Sequence, residues 1–204
     1  KTHSETLLPM LDEMLNMINT KVDEVDGIAV AAGPGSFTGL RIGSSVAKGL
    51  GFALNKPLIP VPTLEGMAYN LYLTEGLICP LMDARRNQVY AAAFQWKEKS
   101  FISVIPQEAI GIREFLDKVN KTQQPVIFLG DGVPVYREII EEECKVEHFY
   151  APAHLNKQRA ASIAARGMEY YIAGKGIEAS QFIPEYLRLS QAERERLEQE
   201  RKDG

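Results

Sequence analysis

The chain has 204 residues, 45% hydrophobic and 25% charged, with a formal net charge of −4. That length allows one large domain or two small ones, no apolar run reaches the about 20 residues of a membrane span, and no secretory leader is present, so a cytoplasmic protein is expected. The acidic balance argues against a protein that grips a phosphate backbone unaided, since that takes clustered Lys and Arg, and Cys79 and Cys144 lack metal-type spacing and read as inert thiols in a reducing compartment.

In chain order, Thr2-His3-Ser4-Glu5 has the form of a capping box and opens a helix predicted over 4–19. Leu7, Leu8, Leu11, Leu15 and Ile18 recur at helical spacing, with Met10, Met14 and Met17 on an adjoining flank. So wide an apolar arc is either buried on both sides or an adaptable Met-bearing contact surface. A strand at 27–32 then runs into Ala32-Gly33-Pro34-Gly35-Ser36-Phe37-Thr38-Gly39 and a helix at 37–54. In that helix Gly39, Gly43, Ala47 and Gly51 recur every four residues and predict one bare ridge. Each glycine inside a helix costs roughly 1 kcal/mol against alanine, so close packing by another helix is the expected compensation. Leu7, Met10, Leu11 and Met14 with this ridge are the predicted partner face. A strand at 58–61 and a helix at 63–73 complete the first half.

Residues 77–83, 88–96 and 101–105 read as an antiparallel meander. A helix at 112–119, a strand at 126–129, a helix near 134–143, a strand at 146–149 and a helix at 160–173 follow. Ser190–Lys202 is a charged helix candidate. The second half therefore reads βββαβαβα and the first αβαβα, the last five elements of the same series. A three-strand meander is expected ahead of Lys1. Two copies of the series make the ribonuclease-H-like double fold of the actin-like ATPases, an α/β class. The predicted domains are 1–75, with the tail 185–204 a candidate to join it, and 76–184.

The Gly33–Gly39 loop sits where backbone amides bind phosphate, but it lacks the Gly-Lys-Ser/Thr ending of a Walker loop and the spacing of a dinucleotide fingerprint. Tight turning explains its glycines as well. Gly130, Asp131 and Gly132 follow a strand and are candidate nucleotide contacts, with a plain β–α turn as the alternative. Asp83 ends the first strand of the second half, where a carboxylate can face phosphate or metal, or be held by a local salt bridge beside Arg85 and Arg86. His3, His148 and His154 have no second histidine at helical spacing and read as surface or capping residues. There is no H-E-x-x-H, no G-x-S-x-G and no cysteine with a plausible histidine base, so peptidase chemistry has no support.

GPGSFTGLRIG (33–43), preceded by HSETLLPML and followed by IPVPTLEGM, LMDARRNQVY and PEYLRLS, resembles the TsaB (YeaZ) family in order and over nearly the whole chain. The catalytic sister family, TsaD, carries a stretch ending His-Leu-Glu-Gly-His, where this chain has Thr63-Leu64-Glu65-Gly66-Met67. Two histidines four apart can share a metal; threonine and methionine are poor substitutes. The resemblance implies a subunit with no catalytic residue, metal or cofactor of its own, which scaffolds a TsaD-type subunit in threonylcarbamoylation of adenosine 37 of tRNAs reading ANN codons. It also implies association with a TsaE-type ATPase, a homodimer through the same face when alone, tRNA contact only through the complex, and ATP and metal held by the partner subunits. The rival expectation is a stand-alone actin-like ATPase or small-molecule kinase.

Overall fold

The computed structural model describes residues 3–188; the capping box at Thr2 and the charged segment Ser190–Lys202 lie outside the described residues. Helix α1 (His3–Met17) carries Pro9 in its interior and buries only Leu15. A single 3-10 turn, Val22–Glu24, leads to β1 (Ile28–Ala31). Helix α2 (Phe37–Leu54) starts where the Ser36 hydroxyl accepts from the Gly39 amide, the usual work of an N-cap serine, and ends where Asn55 turns left-handed at φ 52°. Strand β2 (Leu58–Val61) runs parallel to β1. Helix α3 (Thr63–Ala68) follows. It stops short of the expected 73: the Asn70 and Leu71 amides bond three residues back, to the Met67 and Ala68 carbonyls at 3.1 Å each, and Leu73 turns left-handed at φ 52°, while the Asn70 side chain donates to the carbonyls of Leu155 and Lys157 at 2.8 and 2.9 Å.

Next come β3 (Leu77–Asp83), β4 (Gln88–Lys97) and β5 (Ser100–Gly111), then α4 (Ile112–Thr122), β6 (Val126–Leu129), α5 (Gly132–Glu143), β7 (His148–Tyr150) and α6 (Ala160–Ile172). They build one sheet in the order β5-β4-β3-β6-β7, antiparallel on the meander side and parallel on the other. Strand β3 is buried at six consecutive positions, as a central strand covered on both faces should be. Strand β5 runs on to Gly111, past the expected 105, because register shifts opposite Ala91–Phe94 break the alternation that marks a strand in sequence. The element order βββαβαβα in the second half and αβαβα in the first is the α/β double fold read from the sequence. Among the described residues β1 pairs on one edge only, and no helix is long and apolar enough to cross a membrane.

Three cores hold these elements. One face of the large sheet packs on α4 and α5 through Phe115, Leu116, Phe128 and Ile140. Its other face is covered by α3, whose Leu64, Met67 and Ala68 meet Ile78, Met82, Phe94 and Leu129. The small sheet packs on α2 and on a segment that ends the described chain, through Leu58, Ala179 and Phe182. Helix α6, which chain order places in the second half, lies on β1 and β2 of the first. The last helix of each half thus covers the other half's sheet. Gly167 makes this possible: a Cβ there would stand 2.6 Å from the Ala29 Cβ, so α6 reaches β1 only without a side chain. Gly167→Ala should lower stability by about 1–3 kcal/mol, the usual range for overpacking, read as a lower urea midpoint with unchanged slope.

Candidate functional site

The predicted partner face is real surface at one end and interior at the other. Among the described residues Met10 is 63% exposed, Met14 50% and Leu7 38%, while Leu11 is half-buried. Helix α1 leans on α2 and leaves the rest of its apolar arc open. Nothing lies within 4 Å of the position a Cβ would take at Gly43, and at Gly39 only its own cap, Ser36, does. Ala47 and Gly51 differ: both are buried in this chain, Gly51 against Leu58, Ala179 and the Lys56 carbonyl. The ridge of four is therefore corrected to an open pair. A four-residue repeat overshoots the 3.6-residue turn by about 40° per step, so the line rotates about 120° between Gly39 and Gly51, from surface to core.

At the two ends of the 63–67 stretch, Met67 is 1% exposed in the core and Thr63 ties down the glycine loop. The Thr63 hydroxyl accepts from the Gly33 amide at 3.2 Å, and the Thr63 amide donates to the Gly33 carbonyl at 2.8 Å. Between them Glu65, 8% exposed, reaches across to α6. Its carboxylate accepts from the Arg166 guanidinium at 2.6 Å and from the Tyr170 hydroxyl at 2.8 Å. Burial works to lower the Arg166 pKa, but the charge and hydrogen bond of Glu65 outweigh it and the guanidinium stays above its ordinary value. Burial, then the Glu65 hydrogen bond, pushes the Tyr170 phenol up to about 12. Sequence reasoning missed this clamp. Its one local signal is a glutamate flanked on both sides by residues that all bury.

The candidate nucleotide contacts serve the chain's own turns. Gly130 has φ 109° and backs onto the Leu81 carbonyl, and its amide donates to the Asn156 side chain at 2.7 Å. Gly132 packs on Leu81, and Asp131 is exposed at the start of α5. Asp83 is not held by an arginine side chain, as the salt-bridge alternative had it. Its carboxylate accepts from the Arg85 backbone amide at 2.8 Å and the Tyr136 hydroxyl at 3.1 Å. Burial first, then this bond to Asp83, raises the Tyr136 pKa.

His3 and His154 are exposed, and His148 sits between the Val146 carbonyl and Glu141. Burial pushes both thiols up, Cys79 most, which leaves them poor nucleophiles. Among the described residues no three His, Cys, Asp or Glu side chains converge on a common point.

Residues 1–196 match the family model described as TsaD, tRNA N6-adenosine threonylcarbamoyltransferase. A tRNA threonylcarbamoyladenosine biosynthesis protein TsaB from Bacillus subtilis (strain 168) is 33% identical over 98% of this chain and 86% of its own length. The protein of that name from Escherichia coli (strain K12) is 26% identical over 92% and 81%. A tRNA N6-adenosine threonylcarbamoyltransferase from Staphylococcus saprophyticus is 35% identical, but over only 59% of this chain and 35% of that protein. Among solved structures, a Pseudomonas aeruginosa protein described as similar to peptidase YEAZ superposes with a TM-score of 0.77 at 26% identity, covering 92% of this chain and 85% of its own. YeaZ from the same organism gives 0.73 at 25% over the same shares.

Two measurements follow from this geometry. Gly43→Ala should raise the isolated chain's stability by roughly 1 kcal/mol, the helix-propensity difference alone, whereas Gly51→Ala should lower it, because Leu58 must move. Tyr170, whose folded pKa lies above its unfolded value near 10, contributes fully below pH 10 and loses that contribution as pH rises toward about 12. The Tm gap between the wild type and Tyr170→Phe should be constant up to pH 10 and close above it; a gap that widens instead contradicts the clamp.

Proposed function

Because this chain belongs to the TsaB (YeaZ) family, we propose that it works in threonylcarbamoyladenosine biosynthesis on tRNA as a non-catalytic subunit that binds and organises a TsaD-type enzyme. The observation that carries the reading is the open α1–α2 face. A helix that keeps Gly43 in its interior, with nothing of the described chain packed on it, gives up roughly 1 kcal/mol there. A second helix pair, approaching backbone to backbone, offsets that cost. The exposed Met10 and Met14 beside it suit a contact that must fit both a sister subunit and a second copy, since thioethers repack readily. The TsaD-type partner has the same fold by family kinship, so its corresponding helices are the natural complement. Homodimer and heterodimer then compete for one surface, with a TsaE-type ATPase joining the assembly and the target being adenosine 37 of tRNAs that read ANN codons.

Absence of catalysis in this subunit is supported by how its candidate groups are spent. Thr63, Glu65 and Met67 serve internal packing, and the Gly130 amide is taken by Asn156. That last bond also weighs against the stand-alone ATPase reading, which needs free amides in that turn. ATP and metal chemistry are assigned to the partner subunits.

Gly43→Leu should weaken association with the cognate TsaD-type subunit at least tenfold, about 1.4 kcal/mol, in calorimetry or analytical ultracentrifugation. It should abolish the homodimer as well, while the monomer melts no lower than the wild type and, by helix propensity, slightly higher. Wild-type affinity in this variant would rule out the α1–α2 face.

A further inference from the structure

We propose that the turn after β3, together with the segment that binds it, forms an arginine track for an RNA phosphate backbone, so that this subunit itself touches the tRNA; the inference rests on the reading that the chain works in a tRNA-modifying assembly. The net charge of −4 describes the whole chain, not this edge. Arg85 and Arg86 are exposed on a turn in which three successive residues, Arg85, Arg86 and Asn87, hold φ at 62°, 58° and 58°. Among the described residues neither guanidinium pairs with a carboxylate. The adjacent acid, Asp83, turns one oxygen to the Tyr136 hydroxyl and the Arg85 backbone amide and makes no ion pair with either arginine.

A third guanidinium is brought to the same turn from far along the chain: Arg188 donates to the Ala84 carbonyl and also lacks a carboxylate partner among the described residues. Two residues earlier Tyr186, 40% exposed, packs on Phe37 with ring centroids 5.1 Å apart. The Arg41 guanidinium lies 4.0 Å over that Phe37 ring. The carboxylate within this segment, Glu185, accepts from the Gln107 side chain. By contrast Arg113, Arg137 and Arg166 each pair with a glutamate. Guanidiniums with no ion-pair partner among the described residues, interleaved with two rings, therefore run from the first turns of α2 to the β3–β4 turn.

Such a row fits an extended polyanion better than a compact one. A triphosphate needs encircling amides, yet Gly33 is backed by the Glu185 carbonyl and the Gly39 amide donates to Ser36. A nucleic-acid backbone needs spaced guanidiniums, which hold phosphate bidentately, and rings on which a base can stack.

The test is fluorescence anisotropy with a labelled, unmodified tRNA transcript, titrated with the full-length chain both alone and assembled with its TsaD-type subunit, across about 50 to 200 mM salt. Arg85→Gln/Arg86→Gln should weaken binding about tenfold at low salt and make the slope of log K against log salt shallower by about one to two. Arg85→Lys/Arg86→Lys should keep both near wild type. Arg41→Gln, on a separate element, should shift the slope the same way by about one and serves if the double variant does not fold. Unchanged affinity and slope in the glutamine variants, or no saturable binding by the wild type in either form, overturns the track. Displacement of the tRNA by an equimolar amount of inorganic triphosphate overturns its assignment to an extended polyanion. Assembly is read separately by size: a wild-type chain that fails to join the TsaD-type subunit defeats the scaffold reading, and the titration of the chain alone then decides the track.

Discussion

The ion pair between Glu65 and Arg166, with Tyr170 as its second donor, sets the arrangement of the two halves. Both side chains are largely withdrawn from water, at 11% and 14% exposure. A pair buried to that degree recovers little net stability, because desolvating two charges offsets most of their attraction, whereas removing one member strands the other at a cost of about 3–5 kcal/mol. Its effect is therefore one of selection. In the register that α6 adopts on β1 and β2, Arg166 meets Glu65 while Gly167 passes over Ala29, so a slide of the helix would part the charges and drive a side chain into Ala29. Helix α3 is pinned by the same contact, since Glu65 belongs to it.

Once α3 and α6 have been exchanged between the halves, the internal surfaces are spoken for and the outer helices are not. Among the described residues helix α1 buries a single one, and the start of α2 offers Gly43, over which nothing packs, and Gly39, which meets only its own cap. That division between a spent interior and an uncommitted exterior is what a subunit acting through contact requires. The α3 stretch from Thr63 to Met67 is given over to holding the halves together: Thr63 fastens the Gly33 loop, Met67 fills the core beneath α3, and Glu65 makes the clamp. Restoring a histidine at either outer position would place a polar ring where the chain now has a packed side chain or a loop tie.

The segment that ends the described chain extends the same logic. Phe182 is buried beside α2 and β2, the Glu185 amide donates to the Ala32 carbonyl at 2.7 Å, and Arg188 reaches Ala84 of the large sheet. It thus touches both halves, and it carries arginine and aromatic side chains along that edge.

Read without structure, the chain disclosed its element order, because hydrophobic periodicity and glycine punctuation are local and the two halves repeat them in series. It also disclosed that Thr63 and Met67 are poor ligands for a hard or borderline ion, since that depends on residue type alone. Several relations escaped such reading. The glycine line at 39, 43, 47 and 51 divides into surface and core because four-residue spacing drifts around a helix, and which end meets the chain's own β2 is a matter of docking. The bond from Asp83 to Tyr136 spans 53 residues, the clamp from Glu65 to Arg166 spans 101 and the tie from Ala84 to Arg188 spans 104. Nothing local distinguishes those partners from other tyrosines and arginines of the chain. Sequence alone determined which elements form and what chemistry the α3 position lacks; the tertiary structure decided which helix covers which sheet, which charges are cancelled and which remain free, because those outcomes depend on distances in space that only the packed chain establishes.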